Sequence, residues 1–156
     1  MNKTNAVRLL DAHKIPYDLT EYEVDENDLS AVSLALKIGQ DPAQIFKTLV
    51  LRGDKTGIFV AVVPGDAEVD LKKAARATGN KSAEMVHMKE LLPLTGYIRG
   101  GCSPLGMKKN YPVHIHETCQ LFDRIFISAG TRGMQVRINP EDLIRLTGAV
   151  VCDISN

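Results

Sequence analysis

Apolar positions recur at helical spacing in two segments of the first forty residues. The segment TNAVRLLDAH places Ala6, Leu9 and Leu10 at helical spacing, and Pro16 follows soon after, which predicts a helix that ends before the proline. LSAVSLALKIG predicts a second helix that ends at Gly39, a residue suited to a left-handed cap. Between the two, YDLTEYEV predicts a strand.

Two nearly continuous apolar runs, KTLVLR and IFVAVVPG, flank the turn-forming segment GDKTG. They predict a β-hairpin, and because few polar residues interrupt them, we expect both faces of its strands to be buried. Just before the hairpin, Asp41, Pro42 and Gln44 combine an N-cap, a first-turn proline and a capping-box glutamine. This combination predicts a short helical turn that leads to Lys47.

The second half of the chain continues to mix helices and strands. DLKKAARATG predicts a helix capped by Asp70 and Gly79, while RIFISAG and MQVRI predict a strand pair around the turn from Gly130 to Gly133. NPEDLIRLTG predicts a last helix and VVCDI a last strand. This irregular mixture predicts an α+β fold with surrounding helices, built on a mixed, mostly antiparallel sheet or a distorted barrel.

Length and composition restrict the class of protein. The 156 residues, 44% hydrophobic and 24% charged, contain no repeat and no low-complexity tract, so we expect residues 1–156 to form a single domain. No apolar run approaches the ~20 residues that span a bilayer, and no signal peptide precedes the first helix, so we expect a soluble protein without a membrane partner. Three cysteines without a CxxC pair favour the cytoplasm over a disulfide framework.

The charge is balanced overall but uneven along the chain. Nineteen basic and nineteen acidic residues cancel, yet residues 1–41 hold eight acids and four bases, and residues 42–156 hold eleven acids and fifteen bases. A modest basic surface in the later part would attract phosphates, although an ordinary solvated surface explains the same charges. There is no helix-turn-helix signature and no basic recognition helix, so we expect no specific DNA partner.

Several familiar kinds of site do not fit. The segment from Gly101 to Gly106 is close to a phosphate loop, but Met107 stands where that loop needs lysine. His114 and His116 alternate without a carboxylate or cysteine partner at metal-ligand spacing, so we expect a surface strand, no metal and no cofactor.

The chain also offers no clear protein nucleophile. There is no GxSxG motif, and the sequence alone does not link Cys102, Ser103 or Ser128 to any histidine. We therefore expect Cys102 to be a small packed residue.

Two features of the sequence have both a functional explanation and a purely structural one. Lys47 begins an apolar strand, so its ammonium group either reaches solvent or meets an anionic or carbonyl partner in a cavity. In the glycine-rich segment GYIRGGCSPLGMKKN, Gly100 and Gly101 either form a tight turn between two strands or offer exposed N–H groups to a carbonyl or a phosphate.

The whole chain resembles the YbaK/EbsC family of aminoacyl-tRNA deacylases, and within it the free-standing Cys-tRNA(Pro) deacylases. These are relatives of the editing domain inserted in many bacterial prolyl-tRNA synthetases. The motifs that carry the resemblance occur in the family's order and near its spacing. They are Tyr22, Lys47-Thr48, Gly96-Tyr97, Gly100-Gly101-Cys102-Ser103-Pro104-Leu105-Gly106 with Lys108-Lys109, and Ser128-Ala129-Gly130-Thr131-Arg132-Gly133.

The resemblance implies an editing reaction on cysteine mischarged onto tRNA(Pro), and it leaves open whether Cys-tRNA(Cys) is also a substrate. It implies that Lys47 holds the aminoacyl end or the terminal ribose, and that the Gly100 and Gly101 amides orient the ester carbonyl. The thiol of the bound cysteine then attacks its own ester and releases a cyclic thiolactone and free tRNA, which requires no cofactor. Further substrate-binding residues implied by the resemblance are Tyr22, Thr48, Ser103, Ser128 and Arg132.

The resemblance also implies partners and leaves alternatives open. The expected partners are the acceptor end of an aminoacylated tRNA, with Arg99, Lys108 and Lys109 near its phosphates, and prolyl-tRNA synthetase. Gln135 stands where the resemblance predicts an acidic residue, which leaves the substrate uncertain. A deacylase for alanine, which would need an activated water, and a non-catalytic regulator or small-molecule binder of the same fold remain alternatives.

Overall fold

The structure is a computed structural model and describes residues 3–156. Its helices are α1 Asn5–Ala12, α2 Ala31–Ile38, α3 Leu71–Thr78, α4 Met88–Thr95 and α5 Pro140–Thr147. Its strands are β1 Tyr17–Glu21, β2 Phe46–Gly53, β3 Gly57–Pro64, β4 Ala83–Met85, β5 Val113–His116, β6 Ile125–Ser128, β7 Met134–Ile138 and β8 Val150–Cys152. Short 3-10 turns span Pro42–Gln44 and Glu117–Leu121.

The strands form two sheets in the described part of the chain. One sheet has the order β4-β2-β3-β5-β8 and the other the order β1-β7-β6. The β3–β5 and β5–β8 pairs are parallel and the remaining pairs are antiparallel. A parallel bridge between Ile45 and Phe126 joins the two sheets beside the start of β2. The predicted α+β fold with a mixed, mostly antiparallel sheet is therefore confirmed, whereas the strands do not close into a barrel.

The β2–β3 hairpin lies at the centre of the fold. Its register runs from the Phe46–Pro64 pair to the Gly53–Gly57 pair, which confirms the predicted hairpin. Alternate residues of β3 enter different apolar clusters: Val60 and Val62 pack with α1, β6 and β7, while the odd-numbered positions 59, 61 and 63 pack with α3. Because side chains alternate across a strand, β3 needs apolar residues on both faces, and this explains its unbroken apolar run.

The predicted helix ends are confirmed at several caps. The Thr4 hydroxyl accepts a hydrogen bond from the Val7 N–H, and the Asp70 carboxylate accepts from the first turn of α3. Gly39 ends α2 in the left-handed conformation, with φ of +68°. The predicted capping box at Gln44 is wrong, because its side-chain amide donates to the Arg124 carbonyl 80 residues away, at 2.7 Å. The turn is thus tied to the start of β6.

The predicted surface strand at His114 and His116 is wrong in its placement. These residues belong to β5, which lies between β3 and β8, and both side chains are buried. The His116 Nδ1 accepts a hydrogen bond from the Ile154 N–H, and its Nε2 contacts the Ser155 hydroxyl, each at 3.2 Å. A polar side chain tolerates burial when it is hydrogen-bonded, so a histidine can occupy this central strand.

Residues 3–156 contain neither a membrane-spanning helix nor a metal-binding cluster. None of the described helices is long and apolar enough to cross a bilayer. Within the same residues, no cluster of three or more His, Cys, Asp or Glu side chains is arranged to hold a metal ion.

Candidate active site

A cleft with a volume of about 870 Å³ opens beside the first half of β2. Its walls come from the segment before and within α2, from β2, from the loop after β3 and from the loop after α4. Five of the predicted site residues line it, namely Tyr22, Lys47, Thr48, Gly100 and Ser128. The other three, Gly101, Ser103 and Arg132, are outside its lining.

Lys47 reaches the cleft from the second position of β2. Its backbone pairs with Val63, so the strand register fixes where the side chain starts. The side chain is only 25% exposed, and its Nζ lies 3.3 Å from the Glu68 Oε1 at the cleft wall. The ammonium group therefore meets an anionic partner in the cleft, at a point that solvent also reaches.

Gly100 lines the same cleft, and its backbone donor is unused. Its N–H has no hydrogen-bond acceptor within residues 3–156. Its φ of +84° is the left-handed conformation that favours glycine, and an added Cβ would lie 3.2 Å from the Arg132 Nε and 3.4 Å from Leu29. Backbone conformation and packing therefore both require glycine at the position whose N–H is free.

Gly101 does not match the prediction that both glycines offer exposed N–H groups. Its N–H donates to the Ile98 carbonyl at 2.9 Å, so the expectation of an exposed donor at Gly101 is wrong. An added Cβ would lie 3.1 Å from backbone atoms of Thr131 and Arg132. Gly101 is thus a packing position at which the loop touches the turn between β6 and β7. The loop joins α4 to β5, so the alternative of a turn between two strands is also wrong.

Ser103 and Arg132 support the loop from outside the cleft. The Ser103 side chain is fully buried, and its hydroxyl accepts a hydrogen bond from the Leu105 N–H at 3.2 Å. The Arg132 Nε donates to the Arg99 carbonyl at 2.8 Å. In this structure both residues contact the protein backbone and position the loop, where the resemblance had implied that they contact substrate.

The cleft wall contains two buried side-chain oxygens without partners. Neither the Thr48 Oγ1 nor the Gln135 Oε1 has a hydrogen-bond partner in the described part of the chain. Gln135 is only 4% exposed, and it pairs across the sheet with Ser128, whose hydroxyl accepts from the Gly130 N–H. Leaving a buried polar group unpaired costs ~1–3 kcal/mol, so a ligand that supplies a partner gains at this wall.

Cys102 lines the cleft as part of its apolar wall. It packs in a cluster with Val50 and Tyr97, which confirms the prediction of a packed residue. Burial raises the pKa of the Cys102 thiol to about 12. Since a thiolate is the reactive form of cysteine, this thiol is a poor nucleophile at neutral pH.

Sequence reasoning missed Glu68, the residue that contacts Lys47. No local motif marks it, because it lies in the loop that follows β3. The hairpin register contains the signal: Phe46 pairs with Pro64, so the chain that leaves β3 passes beside the start of β2. A residue a few positions beyond Pro64 is therefore expected near Lys47 once the hairpin register is known.

Comparisons with known proteins agree on one family. The sequence model of the aminoacyl-tRNA editing domain matches residues 25–146. EbsC of Enterococcus faecalis, named as a candidate Cys-tRNA(Pro)/Cys-tRNA(Cys) deacylase, is 50% identical over 153 residues, which cover 98% of this chain and 93% of EbsC. Part of the proline–tRNA ligase of Thermosipho africanus is 35% identical over 66 residues, 42% of this chain and 12% of the ligase.

A solved structure with a similar fold supports the same family. The crystal structure of a candidate trans-editing enzyme for prolyl-tRNA synthetase superposes with a TM-score of 0.83 at 28% identity. The superposition covers 100% of this chain and 99% of the other. The family match spans most of the sequence and includes the β2 and loop positions that build the cleft. The chain belongs to the aminoacyl-tRNA editing domain family.

Proposed function

We propose that this protein is a trans-editing deacylase that releases cysteine from mischarged Cys-tRNA(Pro), with residues 1–156 acting as a single editing domain. The observation that carries the proposal is that Lys47 and Gly100, whose N–H is unused, both line one cleft. The 50% identity to EbsC, over nearly the full length of both chains, supports the same substrate class. It also leaves Cys-tRNA(Cys) as a second substrate to test.

The two groups suit the cleavage of an acyl ester. As a nucleophile adds to an ester, negative charge develops on the carbonyl oxygen, and a fixed N–H donor stabilises that charge. Donors of this kind contribute ~3–4 kcal/mol to the transition state in well-studied hydrolases. We assign this role to the Gly100 N–H, and to Lys47 the binding of the aminoacyl end or the terminal ribose.

The nucleophile in this proposal comes from the substrate. The cysteine sulfur attacks the carbonyl carbon of its own ester, the bond from that carbon to the ribose oxygen breaks, and the thiol proton ends on the departing oxygen. The products are a thiolactone and free tRNA, with no net oxidation or reduction. The cleft's own thiol, Cys102, is held protonated by burial, which favours a substrate nucleophile over a protein one. The protein then contributes geometry.

The polar wall supplies further contacts for the aminoacyl end. Thr48 and Gln135 line the cleft and each has a buried side-chain oxygen without a hydrogen-bond partner among residues 3–156, and Tyr22 and Ser128 also line it. The resemblance predicts an acid where this chain has Gln135, so we assign to Gln135 a neutral acceptor in place of a charged one. Because this difference bears on substrate selection, a test of the proposal needs tRNAs charged with competing amino acids.

We further propose that the protein works in the cytoplasm beside prolyl-tRNA synthetase. The 35% identity to part of a proline–tRNA ligase supports a link to that enzyme. The three cysteines are unpaired, which fits a reducing compartment.

A release assay with three charged tRNAs tests the proposal. Wild type, Lys47→Ala and Gly100→Val are incubated with Cys-tRNA(Pro), Ala-tRNA(Pro) and Pro-tRNA(Pro), and the released amino acid is counted. Wild type should release cysteine, and each variant should lose ~100-fold or more in rate, because Lys47→Ala lacks the ammonium group and a side chain at Gly100, where φ is +84°, moves or obstructs the N–H. Lys55→Ala, which removes a lysine from the turn at the far end of the same hairpin, is the matched control and should keep full activity.

The substrate arms separate the remaining alternatives. Ser-tRNA(Pro), which differs from the substrate in one atom, should stay intact if the thiol is the nucleophile. Release of alanine would instead support a deacylase for small amino acids that uses water, and His87 at the cleft rim would then be the first base to substitute. If every ester stays intact, the deacylase proposal is wrong and a non-catalytic binder of the same fold remains.

A further inference from the structure

The Lys47 ammonium group already has a partner in the protein. The Glu68 carboxylate lies 3.3 Å from it, and both side chains line the cleft. Glu68 is 77% exposed, so this partner stands at the cleft mouth, in contact with solvent. An anion that reaches Lys47 therefore competes with Glu68 for its ammonium group.

The ion pair is weak enough to be displaced. An exposed pair between a lysine and a carboxylate changes an equilibrium by no more than about five-fold, because water solvates both charges and two long side chains must be ordered. A ligand with several contacts in the cleft overcomes such a competitor easily. A ligand that binds only through its negative charge loses affinity by the full factor of up to about five.

The backbone of Glu68 is held by the last residues of the chain. Its N–H donates to the Asn156 Oδ1 at 3.1 Å, and its carbonyl accepts from the Asn156 N–H at 3.0 Å. The ladder continues through a bridge between Val69 and Ser155 and a hydrogen bond from the Asp70 N–H to the Ile154 carbonyl. Glu68 is therefore an exposed side chain on a hydrogen-bonded backbone.

The segment that holds Glu68 is itself anchored in the core. The buried His116 contacts both Ile154 and Ser155, as described for β5. The Lys73 ammonium group donates to the Ser155 carbonyl at 3.1 Å and also pairs with Asp153. The chain end is thus fixed on two sides, and this places the Glu68 carboxylate where it meets Lys47.

We propose that Glu68 is a specificity-determining counter-ion of the cleft. It occupies Lys47 in the unliganded protein, lowers the affinity of the cleft for small free anions such as inorganic phosphate, and yields to the aminoacyl end of a tRNA. The tRNA end displaces it because it also contacts other residues that line the cleft, among them Gly100 with its unused N–H. This inference rests on the proposed function, since it assumes that Lys47 binds the substrate.

Phosphate titration tests the counter-ion without any catalytic readout. Inorganic phosphate is added to wild type, Glu68→Gln and Asp66→Asn, and the amide chemical shifts of Thr48 and Gly100 are followed by NMR. Glu68→Gln should lower the phosphate dissociation constant about two- to five-fold. Asp66→Asn removes a negative charge from the same cleft wall and has no ion pair with Lys47 among the described residues, so it should change the constant much less. Equal constants in all three proteins, or equal changes in both variants, would overturn the proposal.

A kinetic assay shows whether Glu68 affects the selection of ligands or the chemical step. In release of cysteine from Cys-tRNA(Pro), Glu68→Gln should keep kcat within two-fold of wild type and become two- to five-fold more sensitive to inhibition by phosphate. A ten-fold loss of kcat would mean that Glu68 orients Lys47 for the reaction, which contradicts a counter-ion that leaves. If wild type releases no amino acid, the proposed function has failed, while the phosphate titration still decides the role of Glu68.

The C-terminal support has a variant of its own. Asn156→Ala removes the Oδ1 that fixes the Glu68 N–H and leaves both members of the ion pair in place. It should shift the phosphate constant in the same direction as Glu68→Gln, by a smaller factor, because Glu68 then meets Lys47 less often. A phosphate constant identical to that of wild type would show that the chain end does not position Glu68.

Discussion

The Arg132 Nε donates a hydrogen bond to the backbone carbonyl of Arg99 at 2.8 Å. This contact joins the turn between β6 and β7 to the loop that carries Gly100, across 33 residues of sequence. The same Nε would lie 3.2 Å from a Cβ at Gly100, so the guanidinium group packs directly against the residue with the free N–H. Arg132 is therefore a positioning residue for the proposed oxyanion donor.

Replacing Arg132 should lower activity more than stability. In Arg132→Met the loop loses its hydrogen bond, which is worth ~1.5–3 kcal/mol for a charged donor and corresponds to a roughly 10- to 150-fold loss in kcat/KM. The effect should fall mainly on kcat, because the Gly100 N–H is displaced from the ester oxygen. Steady-state release of cysteine measures it. Arg145→Met, which breaks an exposed pair with Asp142 on α5, is the control and should leave kcat/KM unchanged. Equal losses in both variants would contradict the positioning role.

The buried Cys102 should make the protein less stable at alkaline pH. Burial raises its pKa from 9.0 to about 12, so above pH 9 the unfolded chain releases a proton that the folded chain keeps. The folded state then binds more protons than the unfolded state, and the free energy of unfolding falls as the pH rises from about 9 towards 12. Cys102→Ala removes this contribution, and its stability should fall less steeply, by up to ~1.4 kcal/mol per pH unit.

Urea unfolding at pH 8, 9, 10 and 11 measures this difference in slope. Val50→Ala is a suitable control, since Val50 packs in the same cluster and does not titrate. It should lower the free energy of unfolding equally at every pH. A Cys102→Ala curve parallel to that of wild type would show that the thiol is not the group responsible. The same variant should retain deacylase activity, because the proposed nucleophile belongs to the substrate.

Sequence patterns predicted those parts of the fold that depend on neighbouring residues. The caps at Asp70 and Gly39 and the β2–β3 hairpin follow from local hydrogen bonds and from side-chain alternation, which the sequence displays directly. Lys47 was also found in this way, because a charge at the start of an apolar strand is visible without a structure. Local sequence patterns therefore identified one of the two groups of the proposed site.

The elements that were missed depend on distant partners or break local rules. Helix α4 contains Pro93 in its interior, which lacks an N–H and normally argues against a helix. The β5 strand contains His116, whose burial depends on hydrogen bonds to residues near the chain end, almost forty positions away. The occupied N–H of Gly101 and the contact of Glu68 with Lys47 follow in the same way from tertiary packing.

Asn80 should be important for stability and not for activity. Its Oδ1 accepts hydrogen bonds from the Lys55 and Thr56 N–H groups, each at 2.9 Å, and its amide donates to the hydroxyls of Thr56 and Thr78. Asn80→Ala leaves these groups without their partner and should lower the free energy of unfolding by ~2–3 kcal/mol. Urea unfolding measures this loss, and Lys81→Ala, at an exposed neighbour, should change stability by less than ~0.5 kcal/mol.

The activity of Asn80→Ala should stay near that of wild type at a temperature where the variant is folded. The hydrogen bonds of Asn80 close the turn beyond Gly53. Gly53 lies six residues along β2 from Lys47, which is ~20 Å at the usual rise of a strand. A change of more than three-fold in kcat/KM would show that the hairpin transmits disorder from its turn to the cleft. A loss of stability below ~1 kcal/mol would mean that water replaces the lost hydrogen bonds.

Gly101 should be sensitive to a single added methyl group, although its N–H is not available to substrate. In Gly101→Ala the new Cβ would lie 3.1 Å from the backbone of Thr131 and Arg132, and backbone cannot yield as a flexible side chain does. The loop must move by a few tenths of an ångström, which misplaces the neighbouring Gly100 N–H and should reduce kcat at least ten-fold. Gly148→Ala provides the contrast, since its φ of +70° brings strain of ~1–2 kcal/mol while its Cβ meets open space. That variant should lose thermal stability and keep kcat, and a Gly101→Ala enzyme with normal kcat would show that the packing of the two loops does not set the position of the donor.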